Sequence, residues 1–175
     1  MEIYRTNLTQ RLELYDYIME KWAITPETVD LLKIGHATKD KDLNGLEETT
    51  LQKSGLVYVS DWKMGGEIFS GRIIFPYWNN GKAVYLIGRE TSETPTFERE
   101  KGMKYKKLLV HKEGREYVSP CVQNSYFYGE DSLRGADYCI ITEGVTDYTV
   151  MLQAGFPCIS PVTVQFRERR TTRSY

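Results

Sequence analysis

Asp137-Tyr138-Cys139-Ile140-Ile141-Thr142-Glu143-Gly144-Val145-Thr146-Asp147 is a short apolar run that stops at an acid and a glycine and then opens a helical pattern. The run up to Thr142 has the length and apolar character of a buried strand. Val145 to Ala154 offers Val150, Met151 and Ala154 for one buried helical face, and Gly155 closes it. Phe156 to Val164 returns to strand character. Strand, helix and strand within about 30 residues predict a βαβ unit, hence parallel strands joined by a crossover helix. In open α/β sheets ligands bind beyond the carboxyl ends of the parallel strands, and Glu143 falls at such an end. Asp147 is one helical turn further on and faces the same side. A carboxylate there can hold a divalent ion or act as a general acid or base. The competing role for Asp147 is a first-turn acid favoured by the helix dipole. Gly144 is read as giving the backbone freedom to turn from strand into helix.

Upstream the pattern differs. Leu8 to Trp22 reads as one amphipathic helix, with Leu12, Tyr15, Ile18, Met19 and Trp22 at helical spacing and Asn7 as its cap. Thr25-Pro26-Glu27 starts a second helix that ends near Lys33, with Gly35 as its left-handed stop. A third covers Leu46 to Lys53 and stops at Gly55. Leu56 to Val59, Ile68 to Phe75 and Ala83 to Ile87 read as strands. The last two form a hairpin around Asn80-Gly81, with Pro76 ending the first of them. The expected fold is an α+β amino-terminal lobe over residues 1–134, then a partial α/β lobe over 135–166, then a basic tail over 167–175, expected to be disordered.

Bulk properties narrow the function. The chain has 175 residues, 41% hydrophobic and 27% charged, enough for a core and for solubility. No apolar run approaches the roughly 20 residues that span a bilayer, and none follows Met1 as a secretory leader requires. A cytoplasmic location without membrane partners is the expectation. Cys121, Cys139 and Cys158 are widely spaced and form no CxxC pair, so no structural zinc is expected. Net charge is −1, yet Arg99, Lys101, Lys104, Lys106, Lys107 and Lys112 face one acid, Glu100, across fourteen residues. Such a strip can hold a phosphate backbone, or can be a solvated face.

A series of motifs carries a family resemblance. Ile140 to Asp147 looks like the first signature of the Toprim fold. Phe69-Ser70-Gly71-Arg72-Ile73-Ile74-Phe75-Pro76 resembles the Phe-x-Gly-Arg-Ile-x-Phe-Pro stretch of bacterial (DnaG-type) DNA primases. Gly81 to Arg89, ending in Gly88-Arg89, is similar to the strand that follows it in that family. Met103-Lys104-Tyr105 resembles its Lys-Tyr motif, Tyr126-Phe127-Tyr128-Gly129 its Leu-Tyr-Gly step, and Gln153-Ala154-Gly155-Phe156 the end of its Toprim helix. Ile24 to His36 is similar to a family helix, with His36 in place of the usual tyrosine. These elements occur in family order across roughly residues 22 to 163.

The resemblance implies a nucleotidyltransferase that makes short RNA primers on a single-stranded DNA template from ribonucleoside triphosphates, with Mg²⁺ or Mn²⁺. Glu143 and Asp147 match its first acidic positions, as catalytic residues and metal ligands. Arg72, Arg89 and Lys104 match its basic groove, and Tyr105 is placed to stack on a base or to pack. A replicative helicase, or a complementary primase fragment, is an implied partner. The family's second signature, an Asp-x-Asp, has no counterpart here, since Asp147 is the last aspartate. The expectation is therefore a fragment, a truncated product or one part of a split primase, inactive alone. Two other functions are compatible with these residues: a non-catalytic single-stranded nucleic-acid-binding module, and a Toprim nuclease of a mobile element, against which the primase-type first lobe argues.

Overall fold

The computed structural model describes residues 1–39, 42–60, 63–111, 113–114 and 118–162. Its elements in chain order are α1 (Glu2–Thr9), α2 (Leu12–Trp22), α3 (Pro26–Leu32), β1 (Gly35–Ala37), α4 (Glu48–Ser54), β2 (Val57–Ser60), β3 (Lys63–Glu67), β4 (Arg72–Asn79) and β5 (Lys82–Glu90). There follow α5 (Thr96–Glu100), β6 (Tyr105–Lys107), β7 (Phe127–Tyr128), a 3₁₀ turn at Glu130–Leu133, β8 (Ile140–Ile141), α6 (Val145–Gln153) and β9 (Cys158–Pro161). Lys112 and the tail 167–175 lie outside the described residues, as do the last positions expected of the final strand.

A four-stranded antiparallel sheet, ordered β1-β4-β5-β6, dominates the first part. Asn80 and Gly81 both take positive φ, 50° and 73°, which suits the tight turn of a hairpin. Pro76 does not end β4. The partner strand β1 reaches only to Ile74, so the outer edge of β4 is open at the proline, where a missing N–H is tolerated. Strand register then sorts the side chains. Ile73, Arg89 and Tyr105 lie opposite one another, as do Phe75, Ile87 and Lys107. All six project from one face, because opposed residues share a face and neighbours alternate. Arg72, Gly88 and Lys106 project from the other.

Of the two further sheets, one is the two-stranded β2-β3 pair and the other, three-stranded, is ordered β7-β9-β8. β8 and β9 pair in parallel, Ile140 opposite Cys158, with α6 as the crossover between them. β7 adds antiparallel to β9, so this sheet begins upstream of residue 134. The four-stranded and three-stranded sheets share one core. Edge-to-face aromatic contacts run from Trp22 to Phe75 (6.2 Å), Phe75 to Tyr128 (6.4 Å) and Tyr128 to Tyr148 of α6 (4.7 Å).

Three local expectations need correction. The Leu8–Trp22 pattern is two helices, because α1 ends at Thr9 and Asn7 caps nothing: its Nδ2 donates to the His36 carbonyl at 3.2 Å. The left-handed stop of α3 is Lys33 (φ 53°), whereas Gly35 lies in β1, where a Cβ would come within 2.7 Å of the Tyr4 backbone. Gly144 has φ −133°, extended backbone open to any residue, so the turn into α6 does not need glycine. Thr25 does cap α3, accepting from the Thr28 N–H at 3.4 Å. No helix among the described residues is long and apolar enough to cross a membrane.

Candidate active-site cleft

Where β8 gives way to α6, the backbone leaves the sheet and Glu143 projects into solvent. Asp147, in the first turn of α6, is exposed as well. Both line one cleft of about 270 Å³, together with Gly144 and Thr146. Ile87 of β5 and Tyr105 and Lys107 of β6 form the opposing wall, and Pro161 and Val162 close one end. The two wall strands present these side chains through the register described above.

The wall is tied to the helix. The Tyr105 hydroxyl and Thr146 Oγ1 are 3.2 Å apart and share a hydrogen bond. The Lys107 ammonium donates to the Val162 carbonyl. Its partial burial pulls its pKa below the ordinary lysine value. Arg89 lies with its guanidinium carbon 4.6 Å from the Tyr105 ring centroid and 5.8 Å from that of Trp22. One side of the Tyr105 ring is thus taken by Arg89, a cation–π contact worth on the order of 0.5–2 kcal/mol. Lys104 is exposed but lies outside the cleft lining.

Arg72 is a correction. Its side chain is fully buried, on the sheet face opposite Arg89, so the two do not share a groove. Nε and Nη2 donate to Glu98 Oε2 at 3.2 and 2.8 Å, and Nη2 also donates to the Met103 carbonyl at 3.0 Å. Lys106 binds the other oxygen of Glu98. Burial raises the Glu98 pKa, but the hydrogen bonds from Lys106 and Arg72 outweigh it and hold the carboxyl below its ordinary value. Arg72 therefore anchors α5 and the approach to β6 under the sheet.

The sequence reading missed two members of the cleft, Lys107 and Thr146. Lys107 stands two residues beyond Tyr105, and strand alternation alone brings both to one face. Thr146 lies between the two acids. For a metal, Glu143 and Asp147 offer the oxygen donors that Mg²⁺ or Mn²⁺ prefers. Among the described residues no group of three or more His, Cys, Asp or Glu side chains that could hold a metal ion is present.

α6 is fixed at its far end by Gln153. Its Oε1 accepts from the Thr25 N–H at 2.8 Å and its Nε2 donates to the Ala23 carbonyl at 2.9 Å. This clasp joins α6 to the turn between α2 and α3. Gln153→Ala is expected to cost about 1–3 kcal/mol, two exposed hydrogen bonds at roughly 0.5–1.5 kcal/mol each. The cost is read as a lower urea midpoint, with faster amide exchange at Thr25. Unchanged exchange there would show that the clasp holds nothing.

The fold is shared with solved structures of DNA primase catalytic cores. Solved structures of such cores superpose on nearly the whole chain. The Escherichia coli primase catalytic core matches with a TM-score of 0.66 and 19% identity, over 91% of this chain and 51% of that one. The Aquifex aeolicus primase, with its zinc-binding and RNA polymerase domains, gives 0.69 and 18% over 92% and 39%. The RNA polymerase domain of Mycobacterium tuberculosis DnaG, in complex with a double-stranded DNA oligomer carrying a 6-nucleotide overhang, gives 0.70 and 16% over 94% and 52%. At these identities the likeness establishes the fold, and the chain spans about half the length of these structures or less. No protein-family model and no curated protein matches the sequence.

Proposed function

We propose that this chain is part of the catalytic core of a DnaG-type DNA primase, with residues 135–166 as the start of its Toprim lobe and β7 added to that lobe's edge. In this reading it contacts a single-stranded DNA template and ribonucleoside triphosphates and contributes Glu143 and Asp147 to RNA primer synthesis. The observation that carries the reading is the meeting of these two carboxylates with Tyr105 and Lys107 around one cleft at the carboxyl end of a parallel strand. A bound Mg²⁺ or Mn²⁺ would neutralise triphosphate charge and activate the attacking 3′ hydroxyl. Glu143 and Asp147 would hold it through their oxygens. Arg89, over the Tyr105 ring and outside the cleft lining, offers a planar cation to a phosphate, and Lys104 offers a point charge nearer the surface. Among the described residues two carboxylates leave the sphere incomplete, so weak ion binding is expected, and primer synthesis calls for further acids.

Electron paramagnetic resonance of Mn²⁺ with the chain tests this. Glu143→Gln and Asp147→Asn are each expected to weaken Mn²⁺ binding about tenfold, roughly 1.4 kcal/mol. Stability should move by no more than about 0.5 kcal/mol, as for exposed sites generally. Arg89→Gln and Lys104→Gln should each lower the salt dependence of single-stranded DNA binding by about 0.7 in the log–log slope. Mn²⁺ binding that survives Glu143→Gln while the protein loses stability would refute the catalytic reading. Of the other functions, a non-catalytic nucleic-acid-binding module is favoured by the absence of a third converging acid among the described residues. It predicts DNA binding with no Mn²⁺ binding at all.

A further inference from the structure

Lys106 and Lys107 are neighbours in the basic strip, and strand alternation separates their fates. Lys106 turns to the buried face and is consumed by Glu98. Lys107 lies opposite Ile87 on the cleft face and reaches the same cavity as Glu143 and Asp147. Among the described residues its ammonium forms no ion pair, even with two carboxylates on the same cleft. It meets a backbone carbonyl, that of Val162. An ammonium has three donors, and this bond uses one. Lys107 is exposed, so its remaining donors are open to an anion that enters the cleft.

We propose that Lys107 receives the phosphate end of a nucleotide in this cleft, and that it makes nucleotide binding and divalent-ion binding depend on each other. The proposal rests on Glu143 and Asp147 being the ion ligands. The cleft volume of about 270 Å³ falls just under the roughly 300–1,000 Å³ of pockets that enclose a whole small ligand. It admits a phosphate chain, with sugar and base outside. A sphere of that volume is about 8 Å across, inside one Debye length at 0.1 M salt, about 10 Å. All three charges therefore act on anything that enters. A divalent ion alone is drawn by two acids and repelled by Lys107. A triphosphate alone meets the reverse. Ion and triphosphate together satisfy all three groups, so each raises the affinity of the other by the same factor.

The test uses the 175-residue chain, Mn²⁺ alone followed by electron paramagnetic resonance, and methylanthraniloyl-labelled ATP with Mg²⁺ followed by fluorescence. Lys107→Gln is expected to weaken binding of the labelled nucleotide about tenfold, since a cation at a phosphate contributes a charge-assisted bond. The same variant should bind Mn²⁺ alone roughly two- to threefold more tightly, as a like charge has gone. Lys107→Arg keeps the charge and should stay within about threefold of wild type for the nucleotide. Unchanged nucleotide affinity in Lys107→Gln overturns the proposal. So does a Lys107→Arg variant as weak as Lys107→Gln, or a loss that tracks the melting temperature, since either makes the lysine a mere tie to Val162. If Mn²⁺ binding responds to Glu143→Gln while Lys107→Gln changes nothing, only this inference fails. If the wild-type chain binds neither probe, both readings fail.

Discussion

Arg72→Ala is expected to remove about 3–5 kcal/mol of folding stability, the usual cost of stripping one partner from a buried ion pair. That is a large part of the roughly 5–15 kcal/mol that holds a domain folded. The loss has three sources. The Glu98 carboxylate, 6% exposed, would keep Lys106 alone as its partner. The Met103 carbonyl would lose its 3.0 Å donor, and the space beside Gly88 would stand empty. Arg72→Lys should recover little, because a point charge cannot give Glu98 and Met103 donors in the fixed directions of a guanidinium. The measurement is a urea midpoint at constant m-value. A midpoint within experimental scatter of wild type would show that the buried pair contributes nothing.

The same pair sets an acid limb. The folded pKa of Glu98 lies below its ordinary value of 4.5, so the unfolded state binds the proton more readily. The pair's stabilisation is present above that value and is lost as pH falls from 4.5 through the folded pKa. Glu98→Gln should flatten the stability profile in that window and leave its slope near neutrality unchanged.

Arg72 also shows where sequence reading stops. The Gly71-Arg72 motif and its hairpin were legible from the Asn80-Gly81 turn and the apolar runs on either side. What Arg72 does was not. Arg72 and Arg89 lie on opposite faces because Arg72 pairs with Glu90 and Arg89 with Ile73. Alternation is visible within a strand, but relative register is set by turn geometry and packing. Lys104-Tyr105 was read as a functional pair, yet neighbours on an extended strand point apart, and the companion of Tyr105 in the cleft is Lys107. The parallel β8–α6–β9 unit and the joint exposure of Glu143 and Asp147 were legible, since a strand end, a helix start and an i, i+4 spacing are all local. β7 was not, because two residues carry no period. Its place beside β9 comes from Tyr128 packing between Tyr77 and Tyr148.

That packing makes Gly129 the position where the smallest change should do the most harm to the cleft. Gly129 has φ +89°, and a Cβ there would fall 2.0 Å from Cε2 of Tyr148. Left-handed backbone costs an alanine about 1–2 kcal/mol. Forcing a fully packed ring aside costs about 1–3 kcal/mol more. Tyr148 is 1% exposed and stands one residue beyond Asp147 in α6, so it cannot move without turning the helix that carries the acid. Gly129→Ala should therefore lower stability by roughly 2–5 kcal/mol and weaken Mn²⁺ binding in whatever remains folded. Tyr148→Ala separates the two sources. With the ring gone, Gly129→Ala should cost only the backbone share, about 1–2 kcal/mol. The difference between the two backgrounds measures the steric coupling of the 3₁₀ turn to α6. Equal costs in the two backgrounds would show that the glycine serves its turn alone and that Tyr148 does not transmit its position to the cleft.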